Sequence, residues 1–227
     1  MSQLKRSKLA LRGLLIGIVL GDGTLSKANS KQNSHLLIGH SIKQKDYCNS
    51  KLNLVSSLLN TSYHIKEYRV FNKKTNKHYP IIQGATKVHR YLTKLRKVLY
   101  DNGTKKITEK ILNYLTPEGL AYWYMDDGGV ISYHKKKKID GVFFSTQNFS
   151  YEEHLLIQKY FKDKWDINCR IGKHGKGKYR ISINKTNSYK LIGLISPYIY
   201  EDLRYKTILN YSGYLIEFNK INSSVEL

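Results

Sequence analysis

An apolar helical stretch closing on Gly21-Asp22-Gly23 returns in the second half of the chain as one closing on Asp126-Asp127-Gly128-Gly129. The order of elements after each stretch returns as well. In the first half an apolar helix over 11–20 leads through a polar turn, 26–34, to a strand over 35–42. Helical spacing over 46–59 (Tyr47, Leu54, Val55, Leu58, Leu59) comes next. Strands over 63–71 and 79–85 are joined by the basic hairpin Asn72-Lys73-Lys74-Thr75-Asn76-Lys77, and a helix over 87–100 closes the half. In the second half Thr116 is placed to cap, and Pro117 to open, a helix over 118–125. A lysine-rich turn, 135–138, precedes a strand over 141–146, and a helix over 151–165 opens with Ser150 and Glu153 spaced as a capping box. Strands over 167–171 and 178–183 flank the hairpin Lys173-His174-Gly175-Lys176-Gly177, and a helix over 187–195 ends before Pro197.

The expectation is an α+β fold of two pseudo-symmetric αββαββα repeats with antiparallel sheets. The halves are 1–105 and 106–227, joined near 101–110. No Pro- or Ser-rich linker separates them, so they are expected to pack through the two apolar helices.

Charge then narrows the partner. The 227 residues carry 39 Lys+Arg against 17 Asp+Glu, a net charge of +22. Three acids (Asp22, Asp46, Glu67) stand against 19 basic residues in 1–100, so the first part is the more basic. Such a chain repels itself and calls for a polyanion, and counterion release from phosphates is the usual driving force. A membrane surface is the alternative polyanion, but no strongly basic amphipathic helix stands out as its anchor. No apolar run is long enough to span a bilayer, and residues 1–12 lack a secretory pattern. Cys48 and Cys169 cannot build a zinc site or a disulfide framework. The expectation is therefore an intracellular protein, not a secreted one. The Lys/Asn/Ile/Tyr-rich composition suggests an AT-rich genome, in a mitochondrion or plastid that encodes the protein itself, or in a bacterium.

The two helix ends carry the chemistry. Asp22 and Asp127 occupy matching places, where a helix's partial negative charge disfavours a carboxylate. One such residue reads as a solvated turn; two in so acid-poor a chain read as functional. Paired carboxylates beside phosphates are natural ligands for Mg²⁺. Gly13, Gly17 and Gly21 recur every fourth residue, which lets another backbone approach. Opposite them the second helix offers Ala121 with the bulky Tyr122, Trp123, Tyr124 and Met125, so small against large is the packing expected.

These residues resemble a known family. Leu15-Ile16-Gly17-Ile18-Val19-Leu20-Gly21-Asp22-Gly23 and Leu120-Ala121-Tyr122-Trp123-Tyr124-Met125-Asp126-Asp127-Gly128 look like the paired signatures of single-chain LAGLIDADG homing endonucleases. The resemblance runs from about residue 11 to 209. It implies two motif helices packed at a pseudo-twofold axis, each delivering one aspartate to metal ions beneath the DNA minor groove. Asp22 and Asp127 take the metal-ligand and catalytic roles, with Mg²⁺ as the ion and Mn²⁺ able to substitute; Asp126 is read as an auxiliary or structural acid. Lys105-Lys106-Ile107 and Lys206-Thr207-Ile208 match the place where similar enzymes keep a lysine near the scissile phosphate. Lys105 and Lys206 are thus the expected catalytic lysines, with Lys106 still open beside Lys105. Gln147 follows a strand where the family often keeps a polar residue of the solvent network, and its ungapped counterpart in the first repeat is Ser41.

DNA binding is expected from the basic hairpins. In one sheet the candidates are Arg69, Lys73, Lys74, Lys77 and Gln83, and in the other Arg170, Lys173, Lys176, Lys178 and Arg180. About half of each set can face a groove, because alternate strand residues share a face. The function so implied is a monomeric, site-specific endonuclease. It breaks both strands of a long, asymmetric DNA target by metal-dependent phosphodiester hydrolysis and leaves 3′ overhangs. The alternative is a group I intron RNA maturase on the same scaffold; a DNA-binding regulator without catalysis is a weaker rival, because both aspartates are present.

Overall fold

The computed structural model describes residues 7–27, 33–133 and 138–207. Its first helix, α1 (Lys8–Leu20), is apolar nearly all round, and Leu14, Leu15, Ile16, Ile18, Val19 and Leu20 are all buried. A helix with no polar face belongs inside a protein. Next come β1 (Thr24–Ser26), β2 (His35–Ser41), α2 (Lys45–Leu59), β3 (Tyr63–Asn72), β4 (Lys77–Thr86) and α3 (Arg90–Leu99). Two short strands, β5 (Tyr100–Asp101) and β6 (Thr104–Lys105), and the helix α4 (Glu109–Tyr114) make the connection. The second series is α5 (Pro117–Asp127), β7 (Gly128–Tyr133), β8 (Lys138–Phe144), α6 (Tyr151–Trp165), β9 (Cys169–Lys173), β10 (Tyr179–Asn184) and α7 (Lys185–Ile195).

Both series read αββαββα, and both sheets are antiparallel with the same order: β1-β2-β4-β3 and β7-β8-β10-β9. The chain divides into one compact unit over 18–104 and another that combines the residues up to Gly17 with those from Lys105 onward. In the first unit α2 lies across one sheet face, and Leu52 fills the space that a side chain at Gly84 would take. Leu36, Ile38 and Ile82 point into that layer and are fully buried. In the second unit α6 and α7 cover the sheet, with Trp123 and Tyr124 of α5 packed on Phe144 at ring separations of 5.0 and 5.2 Å.

Local chemistry sets the boundaries. Thr116 caps α5 by accepting from the Gly119 N–H at 3.1 Å, with Pro117 in the first turn. The capping box of α6 is complete: the Glu153 N–H donates to Ser150 Oγ at 3.2 Å, and the Ser150 N–H donates to Glu153 Oε2 at 2.7 Å. Cys48 and Cys169 are buried and form no disulfide, and burial pushes the Cys169 thiol up to about 12.

The contact between α1 and α5 corrects one expectation. Gly13 and Gly17 do not meet large residues. A Cβ on Gly17 would lie 1.8 Å from the Gly119 carbonyl oxygen, and one on Gly119 would lie 2.1 Å from the Gly13 carbonyl oxygen. The packing is small against small, backbone on backbone, while Trp123, Tyr124 and Met125 of α5 are buried in the core.

Candidate active site and nucleic-acid interface

In the first unit Asp22 sits in the turn directly after α1. The Gly23 N–H donates to the Ile18 carbonyl at 2.9 Å and closes the helix end. The Asp22 side chain keeps 42% of its surface, and its Oδ2 stands 3.4 Å from Nδ1 of His40, which is 3% exposed. Asp22, Gly39, His40, Ser41, Gln44 and Ile81 line an open cleft of about 380 Å³. An oxygen donor held in an open cleft suits a hard divalent cation, which retains waters and needs room for a phosphate.

In the second unit Asp127 is the last residue of α5. Its carbonyl accepts from the Ser145 N–H at 2.8 Å, tying the helix end to the loop after β8. Gln147 lies in the turn that begins in that loop, closed by the Phe149 N–H on the Thr146 carbonyl at 3.1 Å. Lys206 comes to the same helix end: its Nζ donates to the carbonyls of Met125 at 2.5 Å and Asp126 at 3.0 Å. The Tyr124 hydroxyl donates back to the Lys206 carbonyl at 2.7 Å. A helix's last carbonyls lack partners within the helix, and a cation there also opposes the macrodipole. The ammonium thus offsets the charge that makes this place unfavourable for Asp127. Asp127 and Lys206 are therefore at one helix end, and Gln147 follows two residues after the Ser145 that is bonded to Asp127. Lys105 lies on β6; it and Lys106 are both half-buried, so burial does not choose between them, whereas Ile107 is buried with its N–H on Glu153 Oε1 at 2.6 Å. Ile208 and residues 135–137 of the lysine run lie outside the described residues.

The strand registers decide which basic residues share a face. Gln83 pairs with Lys66, Ile81 with Tyr68 and Lys77 with Asn72, so Lys77 and Gln83 lie on the face away from α2 with Lys66 and Tyr68. Arg69, paired with Pro80, points to the other side, and Lys73 and Lys74 are in the hairpin tip. The tip of this sheet is bare on both sides, with Tyr68, Val70, Phe71 and Tyr79 each more than a third exposed. In the second sheet Arg170 and Arg180 share the face away from α6 with Ser182, and Arg180 lies 4.7 Å over the Phe143 ring. Lys173 is on the opposite face, and Lys176 and Lys178 belong to the connecting turn. His40 and Gln44, which line the cleft, and Lys66, on the outer sheet face, are residues that the sequence does not single out. The burial of His40, though not what it faces, is within reach of the pattern, because Leu36, Ile38 and His40 alternate onto one buried face.

The model of the LAGLIDADG DNA endonuclease family matches residues 12–191. The chain belongs to this family. Among similar proteins, the probable intron-encoded endonuclease 1 of Wickerhamomyces canadensis is 32% identical over 86% of this chain and 83% of its own. The cytochrome b mRNA maturase bI2 of Saccharomyces cerevisiae is 27% identical over 85% of this chain, which spans 46% of that protein. Among solved structures, the homing endonuclease I-WcaI bound to its DNA recognition sequence superposes with a TM-score of 0.77 at 27% identity, covering 89% of this chain and 87% of that one. A homing endonuclease is thus similar to this chain across both repeats. Among the described residues no helix is long and apolar enough to cross a membrane.

Proposed function

We propose that this LAGLIDADG protein is a monomeric, site-specific homing endonuclease that breaks both strands of a long, asymmetric DNA target and leaves 3′ overhangs. Asp22 and Asp127 are the residues to hold divalent cations, Mg²⁺ or Mn²⁺ in its place. Such an ion supplies Lewis-acid charge to a phosphodiester undergoing hydrolysis. What supports the reading is the end of α5, where Lys206 Nζ is held on the Met125 and Asp126 carbonyls next to Asp127 and the Ser145 N–H bond to Asp127 brings in the segment that carries Gln147. Lys206, held by two carbonyls, is positioned to oppose charge developing on the scissile phosphate, and Lys105 takes that part for the other repeat. Lys66, Lys77, Gln83, Arg170 and Arg180 are the groove-facing residues of the two sheets. Arg69, Lys73, Lys74, Lys173, Lys176 and Lys178 serve the phosphates. Halves 1–105 and 106–227 each address one part of the target, and an organelle-encoded or bacterial origin fits the composition.

Binding and chemistry should separate cleanly. Chelation is expected to stop cleavage and leave a specific DNA complex visible by mobility shift, since lysines and phosphates supply the affinity. Raising salt from roughly 50 to 200 mM is expected to weaken nonspecific binding by about 10³-fold or more, if roughly six or more phosphates are engaged. A flat salt response would overturn the DNA reading.

Lys206→Met is expected to slow single-turnover cleavage by about 100-fold while the dissociation constant moves little. It also leaves the Met125 and Asp126 carbonyls without this donor, so a lower melting temperature accompanies it. If affinity falls and the rate does not, Lys206 is a phosphate contact.

A second reading, an intron RNA maturase, is favoured by the likeness to the yeast cytochrome b maturase. Splicing of a group I intron transcript, with and without the protein, tests it directly.

A further inference from the structure

The two repeats do not surround their aspartates alike. Thr24 on β1 pairs with Leu37 on β2, and Gly129 on β7 pairs with Phe143 on β8. Thr24 and Gly129 each stand two residues after their aspartate, so Leu37 and Phe143 are equivalent positions. Three residues further on, His40 in the first repeat answers to Thr146 in the second. The two side chains have gone different ways. Thr146 is fully buried; its hydroxyl accepts from the Ile181 N–H at 3.1 Å and lies 2.9 Å from Nε2 of His154. It is spent on the core of its own sheet. His40 instead places Nδ1 3.4 Å from the Asp22 carboxylate.

The imidazole is held from behind. Its ring lies 5.2 Å from that of Tyr47 on α2, and the Tyr47 ring carries the Lys51 ammonium at 4.4 Å. Lys51 is itself fully buried, so this stack is part of the packed layer between α2 and the sheet. Asp22, by contrast, projects from a turn with nearly half its side chain in solvent. A carboxylate in such a place surrenders rotamer freedom on binding a cation, and a rigid donor beside it removes part of that cost in advance.

We infer that His40 is a positioning residue for Asp22 that makes the two cleavage centres unequal: it orients the first carboxylate toward its cation, a support that Asp127 does not receive from Thr146. The inference rests on the metal-ligand reading of Asp22. The DNA strand served by Asp22 depends on an imidazole, and the strand served by Asp127 does not.

Strand-resolved single-turnover cleavage, with each strand of one duplex carrying its own label, tests this. His40→Ala is expected to slow one strand by about 10- to 100-fold, the same strand that Asp22→Asn stops, and to leave the other strand's rate unchanged. His40→Asn returns an N–H donor to the position of Nδ1 and is expected to recover most of the loss; a purely space-filling role gives no such recovery. An independent reading is calorimetric titration of Mn²⁺ into the DNA complex of Asp127→Asn, which isolates the first centre. There His40→Ala is expected to weaken Mn²⁺ by a similar factor and His40→Asn to restore it, with circular dichroism confirming the fold of both. Equal slowing of both strands, or no change in rate and Mn²⁺ affinity, overturns the role of His40. If Asp22→Asn itself cleaves both strands normally, the metal-ligand assignment of Asp22 falls instead, and the inference falls with it.

Discussion

Asp22→Asn and Asp127→Asn are each expected to reduce double-strand cleavage on the order of 10³-fold or more, because each keeps the side chain's shape and removes the charge that holds a divalent ion. DNA affinity is expected to hold or rise slightly, since a negative charge near phosphates is gone. The two sites predict different side effects. Asp127 closes α5, where a carboxylate opposes the helix dipole, so its neutralisation is expected to change stability by no more than about 1 kcal/mol. Asp22 lies beyond the last residue of α1 and faces His40, so neutralising it forfeits that contact. Scoring nicked and linear products from a supercoiled plasmid carrying the target, beside a thermal melt, reads all of this. A folded variant that still linearises the plasmid at nearly the wild-type rate shows that its aspartate is not a metal ligand.

Where local chemistry is complete, the sequence is legible. The capping box and a left-handed Asp166, with φ 49° and bonds from Lys162 and Lys190, mark both ends of α6, and its limits are those that the spacing predicts. The strand after it starts two residues later than its composition suggests. Ile167 is consumed by the helix end, its N–H on the Phe161 carbonyl at 3.0 Å, so pairing starts at Cys169. Residues 87–89 carry helical spacing but lie outside the helix, because His89 is extended, turns its Nδ1 to the Tyr91 N–H at 3.2 Å and caps α3 instead. β1 and β7 are illegible for a different reason. Three residues, or six that begin with two glycines, have no periodicity of their own and exist as strands because β2 and β8 supply partners. The aspartates are legible as a repeated oddity; His40 is not, because one histidine in an apolar strand has the same pattern whether it fills space or serves a carboxylate. The small-on-small contact of α1 and α5 is hidden by composition. Bulk at Tyr122, Trp123 and Tyr124 says nothing about which side of a helix it occupies, whereas Gly119 sits where α1 arrives.

Gly17→Ala is expected to be strongly destabilising. Elsewhere in a helix the change gains about 1 kcal/mol of propensity. Here the added carbon would lie 1.8 Å from the Gly119 oxygen, 2.3 Å from its carbonyl carbon and 2.6 Å from its Cα. All three are backbone atoms, so no rotamer change relieves the clash; α1 and α5 have to separate. Separation by about an ångström loosens the contacts of a helix whose side chains at Leu14, Leu15, Ile16 and Ile18 are completely buried. Overpacking of this kind costs about 1–3 kcal/mol and more where backbone has to move. For a chain of this size, about 3 kcal/mol lowers the melting temperature by about 10 °C. Gly39→Ala is the control: its nearest neighbour to a new Cβ is 3.8 Å away, an ordinary contact, and its melting temperature is expected to stay within about 2 °C of wild type. Asp22 and Asp127 hang on the ends of these same two helices, so the surviving folded fraction of Gly17→Ala is expected to bind DNA better than it cuts it. Thermal melts of both variants decide the matter: a Gly17→Ala protein that melts with the Gly39→Ala control shows that the helices do not depend on this backbone contact.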